Sequence, residues 1–241
     1  MVSKNQIKLI ISLQQKKIRN SEKLFVVEGE KGIQEFLKSE LSLEHLYITE
    51  PIFNDVPLLK KSLISEAILK KISSLTSPNN CLALFHIPEE KPIQTSGLII
   101  ALDTIRDPGN LGTIIRLCDW FGVSQIVCSS ETVDAFNPKV VQATMGSITR
   151  VKINYIDLPA FISKTTLPVY GTFMDSASIY STNLPKNAVL IMGNEANGIS
   201  SKIESLITER ITIPRFGESQ QTESLNVATA TAIILSEFRR R

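Results

Sequence analysis

Histidine is nearly missing from this chain. Of 241 residues only His45 and His86 carry an imidazole, each on a short apolar segment that reads as a strand. A Ser-His-Asp triad or a histidine-rich metal site needs more than that. Cysteine is equally scarce: Cys81, Cys118 and Cys128 are odd in number, and no two stand at Cys-x-x-Cys spacing. That argues against a disulfide framework and against a thiolate zinc site, so no metal is expected. No Gly-x-Gly occurs, which removes the dinucleotide-binding fingerprint, and no Gly-Lys-Ser/Thr occurs, which removes the P-loop. The longest apolar runs, such as 98–102 and 189–192, fall far short of the roughly 20 residues that span a membrane. The opening Met-Val-Ser-Lys-Asn-Gln has no apolar signal core. A cytoplasmic protein with no membrane partner is expected.

What is present is ordinary for a globular chain: 43% hydrophobic and 21% charged residues, which excludes disordered and collagen-like classes. The length fits one large or two small domains. The net charge of +2 hides a gradient, because residues 1–23 hold six cations (Lys4, Lys8, Lys16, Lys17, Arg19, Lys23) against Glu22 alone. A basic arm of this kind suits a polyanionic partner; a solvated helix face explains it equally well. Up to residue 87 short helical and strand patterns alternate, and the polar, proline-bounded stretch 88–92 marks a boundary. Two domains follow, 1–92 and 93–241. In the second, apolar strands at 98–102, 125–128, 169–173, 188–192 and 210–213 alternate with helices at 110–121, 157–163, 200–207 and 224–240. Near-continuous apolar strands of this type predict an α/β fold with a parallel sheet covered by helices on both faces.

In such sheets, ligands bind beyond the carboxyl ends of the strands, and three strand ends here are chemically unusual. After strand 98–102 comes Asp103-Thr-Ile-Arg-Asp-Pro-Gly-Asn110-Leu-Gly112, with Arg116 one turn beyond Gly112. Asn110 is read as the helix N-cap, and a glycine inside the helix leaves room beside Arg116 for a ligand or chain; a loose helix with a solvated arginine is the plainer account. After strand 188–192 comes Gly193-Asn194-Glu195-Ala-Asn197-Gly198, a carboxylate bracketed by glycines, or an ordinary strand-to-helix turn. After strand 210–213 come Pro214, a polar loop over 215–223, and Ser224-Leu225-Asn226-Val, with Ser224 read as the N-cap of a closing core helix.

Together, Asn110-x-Gly112-x-x-x-Arg116, Gly193-Asn-Glu195-x-x-Gly198, and Ile213-Pro214 with Ser224-Leu-Asn226-Val resemble the three motifs of the SpoU/TrmH family of RNA ribose 2′-O-methyltransferases, in the SPOUT superfamily. The similarity spans roughly 97–241, and Asn137-Pro-Lys-Val140 with Met145-Gly-Ser147 resembles the family's stretch between the first two motifs. Arg19 through Phe25-Val-Val-Glu28-Gly29, with Ile33 and Glu35, resembles the substrate-binding domain found ahead of it.

The resemblance implies a small ribosomal-protein-like RNA-binding domain, then a SPOUT domain with a C-terminal trefoil knot, a rarity among proteins. It implies S-adenosylmethionine held by Thr172, Gly193, Asn194, Gly198, Ile213 and Leu225, and a homodimer whose active site lies at the subunit contact. It assigns catalysis to Asn110, Arg116, Glu195, Ser224 and Asn226. Arginine is a poor base, so Arg116 is expected to act with an RNA phosphate, its planar fork orienting phosphate and ribose hydroxyl together. RNA contacts are expected from Lys16, Lys17 and Arg19. Arg239-Arg240-Arg241 suits either RNA or the dipole at a helix C-terminus. Ribosomal RNA is favoured over transfer RNA as substrate. The competing accounts are a non-catalytic RNA-binding or assembly factor, which methyl incorporation into RNA would exclude, and a nucleotide-dependent oxidoreductase or kinase, which lacks its phosphate loop.

Overall fold

The computed structural model describes residues 2–217 and 224–240. In chain order the elements are α1 (Lys4–Ser12), α2 (Lys16–Glu22), β1 (Leu24–Glu28), α3 (Glu30–Leu37), β2 (Leu43–Ile48), β3 (Lys61–Leu63), α4 (Glu66–Ile72), β4 (Cys81–His86), β5 (Leu98–Leu102), α5 (Pro108–Trp120), β6 (Gln125–Cys128), α6 (Pro138–Thr144), β7 (Lys152–Tyr155), α7 (Leu158–Lys164), β8 (Val169–Ser178), β9 (Ala188–Met192), α8 (Ser201–Glu204), β10 (Glu209–Thr212) and α9 (Val227–Arg239). They form two compact units. The first holds the chain up to Glu89 and also Asp134–Thr149; the second holds Glu90–Val133 and the chain from Arg150 onward. A division into 1–92 and 93–241 has no place for that return of sixteen residues.

In the first unit β1 and β2 flank β4 antiparallel, and β3 pairs parallel with β2. One face of the sheet packs Val26, Tyr47, Leu82 and Leu84 against Ile10 and Leu13 of the α1 region and Leu69 and Ile72 of α4. The register of β1 puts Phe25 on the opposite face, where it meets Phe36 of α3 (ring centroids 5.7 Å apart), Phe85 (6.2 Å) and Phe136 (4.8 Å). Phe136 belongs to the returning segment, and its ring is one reason why Asp134–Thr149 folds here. Asp134 is another: it forms an ion pair with Arg19. Arg19 also donates to the carbonyls of Leu13 (2.8 Å) and Gln14 (2.9 Å) and is 1% exposed. The expectation that Arg19 meets RNA is therefore corrected. Its charge is spent holding α2 to residue 134, whereas Lys16 and Lys17 on α2 are exposed.

The second unit is a six-stranded sheet in the order β10-β8-β9-β5-β6-β7, parallel throughout. Ile99, Ala101, Val127, Val189 and Ile191 face Leu158 and Ile162 of α7 and Ile203 of α8. Strand alternation turns Ile100, Leu102, Ile126 and Leu190 to the other face, all fully buried. That face carries α9, whose Phe238 meets Tyr170 of β8 edge-on at 5.6 Å, and α5, which packs on α9. Burial pushes the thiols of Cys118 on α5 and Cys128 on β6 upward, so both act as small apolar core residues. Arg239 at the end of α9 donates to the carbonyls of Phe121 (2.7 Å) and Gly122 (3.0 Å), closing the C-terminus of α5. Arg240 pairs with Glu237. Two of the three terminal arginines are thus engaged within the fold; Arg241 and residues 218–223 of the polar loop lie outside the described residues. Among the described residues no helix is long and apolar enough to cross a membrane.

Candidate active site

The site lies at the carboxyl ends of β5 and β9, neighbours at the centre of the parallel sheet. The N-cap of α5 is Asp107, not Asn110: Pro108 takes the first helical position, where its missing N–H costs nothing, and Asp107 accepts from the Asn110 backbone N–H at 2.7 Å. The Asn110 side chain is thereby released from capping. A parallel correction applies at α9, which is capped by Asn226 instead of Ser224. Asn226 Oδ1 accepts from Ala228 N (2.9 Å) and Thr229 N (3.2 Å), and Ser224 stands exposed ahead of it.

Those caps fix the orientation of both carboxamides. Because Asn226 Oδ1 accepts, its Nδ2 is the donor left over, and it donates to Asn110 Oδ1 at 2.9 Å. Asn110 Nδ2 then donates to Glu195 Oε1 at 2.7 Å. A backbone cap, two amides and a carboxylate form one directed chain, in which no amide can be flipped without losing bonds. Glu195 itself is exposed, and its second carboxylate oxygen has no partner among the described residues.

Two residues that sequence reasoning missed hold the Glu195 loop in place. Asp103, 4% exposed at the end of β5, accepts from Ser200 N at 2.7 Å. Thr104 sits in the left-handed region at φ 61°, which turns its carbonyl to accept from Asn194 Nδ2 at 2.8 Å. Asn194 Oδ1 in turn accepts from Ala196 N and Asn197 N, and Asn194 and Gly198 exchange two backbone bonds of 2.9 Å. The side chain of Asn194 thus shapes the loop from within. Gly193 must be glycine, since a Cβ there would overlap the backbone of Gly198 and Ile199. The available signal was Asp103-Thr104 itself, a buried acid directly after an apolar strand.

The remaining expected residues are dispersed. Thr172 on β8 donates to the Ile191 carbonyl at 3.3 Å, tying β8 to β9. Ile213 is half-buried, and Leu225 is 49% exposed. Arg116 is exposed on α5 and has no partner among the described residues. It stands six positions after Asn110, which on a helix is about 9 Å along the axis and about 120° around it. Glu195 and Asn226 converge on Asn110; Arg116 of the same chain does not join them.

Six parallel strands, helices on both faces and three strand-end segments, all joined through the Asn110 carboxamide, make the second unit the catalytic domain of an α/β enzyme. Residues 97–236 match the model of the SpoU rRNA methylase family, and residues 4–83 match that of the MRM3-like substrate binding domain. The 23S rRNA (guanosine(2553)-2′-O)-methyltransferase RlmP of Bacillus subtilis is 31% identical over 98% of this chain and 97% of its own length. Among solved structures, a TrmH-family chain from Porphyromonas gingivalis superposes with a TM-score of 0.90 at 39% identity, covering 99% of this chain and 98% of that one. An AdoMet-bound rRNA methyltransferase from Sinorhizobium meliloti superposes with a TM-score of 0.88 at 30% identity, over 99% and 96%. The chain belongs to the SpoU rRNA methylase family.

Proposed function

We propose that the protein methylates a ribose 2′-hydroxyl in ribosomal RNA, using S-adenosylmethionine, as a homodimer. The observation that carries this reading is the Asn226–Asn110–Glu195 chain of hydrogen bonds at the strand ends of a SpoU-family domain. The residues present fit the donor. Gly198 (φ 66°) has open space where a side chain would stand, and Leu225 presents an exposed apolar side chain beside Asn226. These features suit an adenosine with a sulfonium tail. Gly193, Gly198, Ile213 and Leu225 would hold it, in the trefoil knot that the family forms with its C-terminal segment. When bound, S-adenosylmethionine supplies an activated methyl group, so no metal is needed for the transfer.

The protein's own part is positional. The second carboxylate oxygen of Glu195 orients the ribose and leaves the proton of its 2′-hydroxyl for the phosphate. Asn110 locks the Glu195 rotamer, and Asn226 locks Asn110. Arg116 completes the site from the partner subunit, where its fork binds an RNA phosphate and directs the hydroxyl proton toward it. The exposure of Arg116 and its separation from Asn110 within one chain support that assignment. The first unit and the exposed Lys16 and Lys17 meet the RNA through its phosphates, which makes affinity salt-dependent.

The test is transfer of labelled methyl from S-adenosylmethionine to ribosomal RNA purified from cells lacking the gene, with transfer RNA as the parallel arm. Label in ribosomal RNA that maps to a single ribose is expected. Label in transfer RNA alone would move the substrate, and label in neither would leave the non-catalytic account.

A further inference from the structure

The first unit contains a cleft of about 630 Å³ between the β1–α3 turn, residues 79–80 and α6, within the size range of sites that take small organic groups. Its apolar lining comes from Val27, Phe36 and Val141, all buried. The carboxamides of Asn79 and Gln142, both exposed, and the thioether of Met145 complete it. Every one of these residues belongs to the first unit.

The charges around the cleft do not favour an anion. Glu28 accepts from the hydroxyls of Ser73 and Ser74 and from Ser74 N (2.9 Å), and Glu30 accepts from Gln34 at 3.3 Å. Lys31 is the one cation among the lining residues, against these two carboxylates. Carboxamides over an apolar floor match a flat, neutral group with hydrogen-bonding edges. That is the chemistry of a nucleobase, whose faces stack on apolar groups and whose edges pair with Asn and Gln.

The shape of the cleft's edge gives a second, independent reason. α6 ends at Met145 in the left-handed region (φ 51°), followed by Gly146 (φ 93°). A Cβ at Gly146 would stand 2.8 Å from Glu35 Cβ on α3, so only glycine lets the turn press against that helix. The result holds Met145 55% exposed, in a conformation that non-glycine residues rarely adopt. That conformation caps α6, and it leaves the thioether at the rim of the cleft instead of in the core.

We propose that this cleft receives one unstacked nucleobase of the substrate RNA, with Met145 against the ring and Asn79 and Gln142 on its polar edge. The inference rests on the RNA-methyltransferase reading and adds to it the place where the first unit selects its RNA.

The test uses the full-length protein, ribosomal RNA purified from cells lacking the gene, and the double variant Asn79→Ala/Gln142→Ala, both positions being exposed. The expected result is a KM for RNA raised at least about tenfold, with kcat at saturating RNA and the Kd for S-adenosylmethionine both within about twofold of wild type, which corresponds to a change confined to RNA binding. Adding Met145→Ala should raise KM further and leave kcat alone. A KM within about twofold of wild type in the triple variant, with wild-type protein active in the same assay, overturns the inference and leaves the parent reading standing. Wild-type protein that methylates no RNA overturns both.

Discussion

Asn110 donates to Glu195 over 2.7 Å across a sequence separation of 85 residues, while its own carbonyl oxygen accepts from Asn226 at 2.9 Å. A side chain bonded on both ends between two motifs has one rotamer, and Glu195 inherits that order. Asn110→Ala should therefore cost roughly 100-fold in kcat/KM, because small misplacements of reacting groups carry penalties of that size. Asn110→Asp replaces the donor facing Glu195 with a second carboxylate and should be no better. The thermal midpoint should hardly move, since all three side chains are partly or largely solvent-exposed. Steady-state methyl transfer set beside a melting curve separates the two effects.

Asp103 makes a different prediction, because it acts through the loop. Its carboxylate is the partner of the Ser200 N–H, and Asp103→Ala leaves that group without one, at a cost of about 1–3 kcal/mol. The loss should appear as weaker binding of S-adenosylmethionine, about tenfold for each 1.4 kcal/mol that reaches the 193–198 loop. Asp103→Asn retains an acceptor oxygen and should recover most of the affinity. Titration calorimetry of the three proteins gives the ranking.

Whether Arg116 serves its own chain or its partner's can be read from mixed dimers. If it acts across the contact, dimers mixed at random from Arg116→Ala and Asn110→Ala chains should recover about a quarter of wild-type activity, since half are heterodimers with one intact site of two. If it acts within its own chain, every site in every heterodimer is broken and nothing returns. Arg116→Lys retains charge without the fork and should stay well below wild type.

The Arg19–Asp134 pair is buried at the Arg19 end. Arg19→Ala would leave Asp134 and the carbonyls of Leu13 and Gln14 without their donor, and should destabilise the fold by about 3–5 kcal/mol. Chemical denaturation at neutral pH measures it. Lys17→Ala, at an exposed position on the same helix, should leave stability unchanged and weaken RNA binding at low salt more than at high salt.

His45 supplies a pH dependence. Burial holds its pKa below the usual 6.5, against a smaller upward pull from Glu44, and its Nε2 lies 2.9 Å from Ser62 Oγ. Between the folded value and about 6.5 the unfolded chain binds more protons than the native one, so stability rises with pH there and falls as pH drops below about 6.5. His45→Gln should flatten that part of the profile. Urea melts at pH 7.5 and 5.5 on both proteins are the check.

The central strands were legible because burial on both faces makes them continuous apolar runs: 98–102, 125–128 and 188–192 end where β5, β6 and β9 end. Two of the edge strands, β7 and β3, gave no such signal. β7 alternates Lys152 and Asn154 with Ile153 and Tyr155, and β3 is three residues long. Helix starts were ambiguous wherever two capping residues stood close together, Asp107 with Asn110 and Ser224 with Asn226. Proline at the first helical position decides the first case, and only the hydrogen bonds decide the second. That Glu195 and Asn226 belong to one site was legible through the family resemblance alone. That Asn110 is the junction, and that Arg116 stands apart, follows from a cap three residues upstream and from helical geometry. The burial of Arg19 was illegible, because its partner lies 115 residues away.

The polypeptide passes between its two units three times, after Glu89, after Val133 and after Thr149. A fragment stopped near residue 89 would be deprived of Phe136 and Asp134, and so would expose an aromatic surface and strand a buried cation. Grafting the recognition module of one relative onto the catalytic body of another therefore calls for two cut-and-paste pieces, the leading ninety residues and the internal sixteen, transplanted as a matched pair.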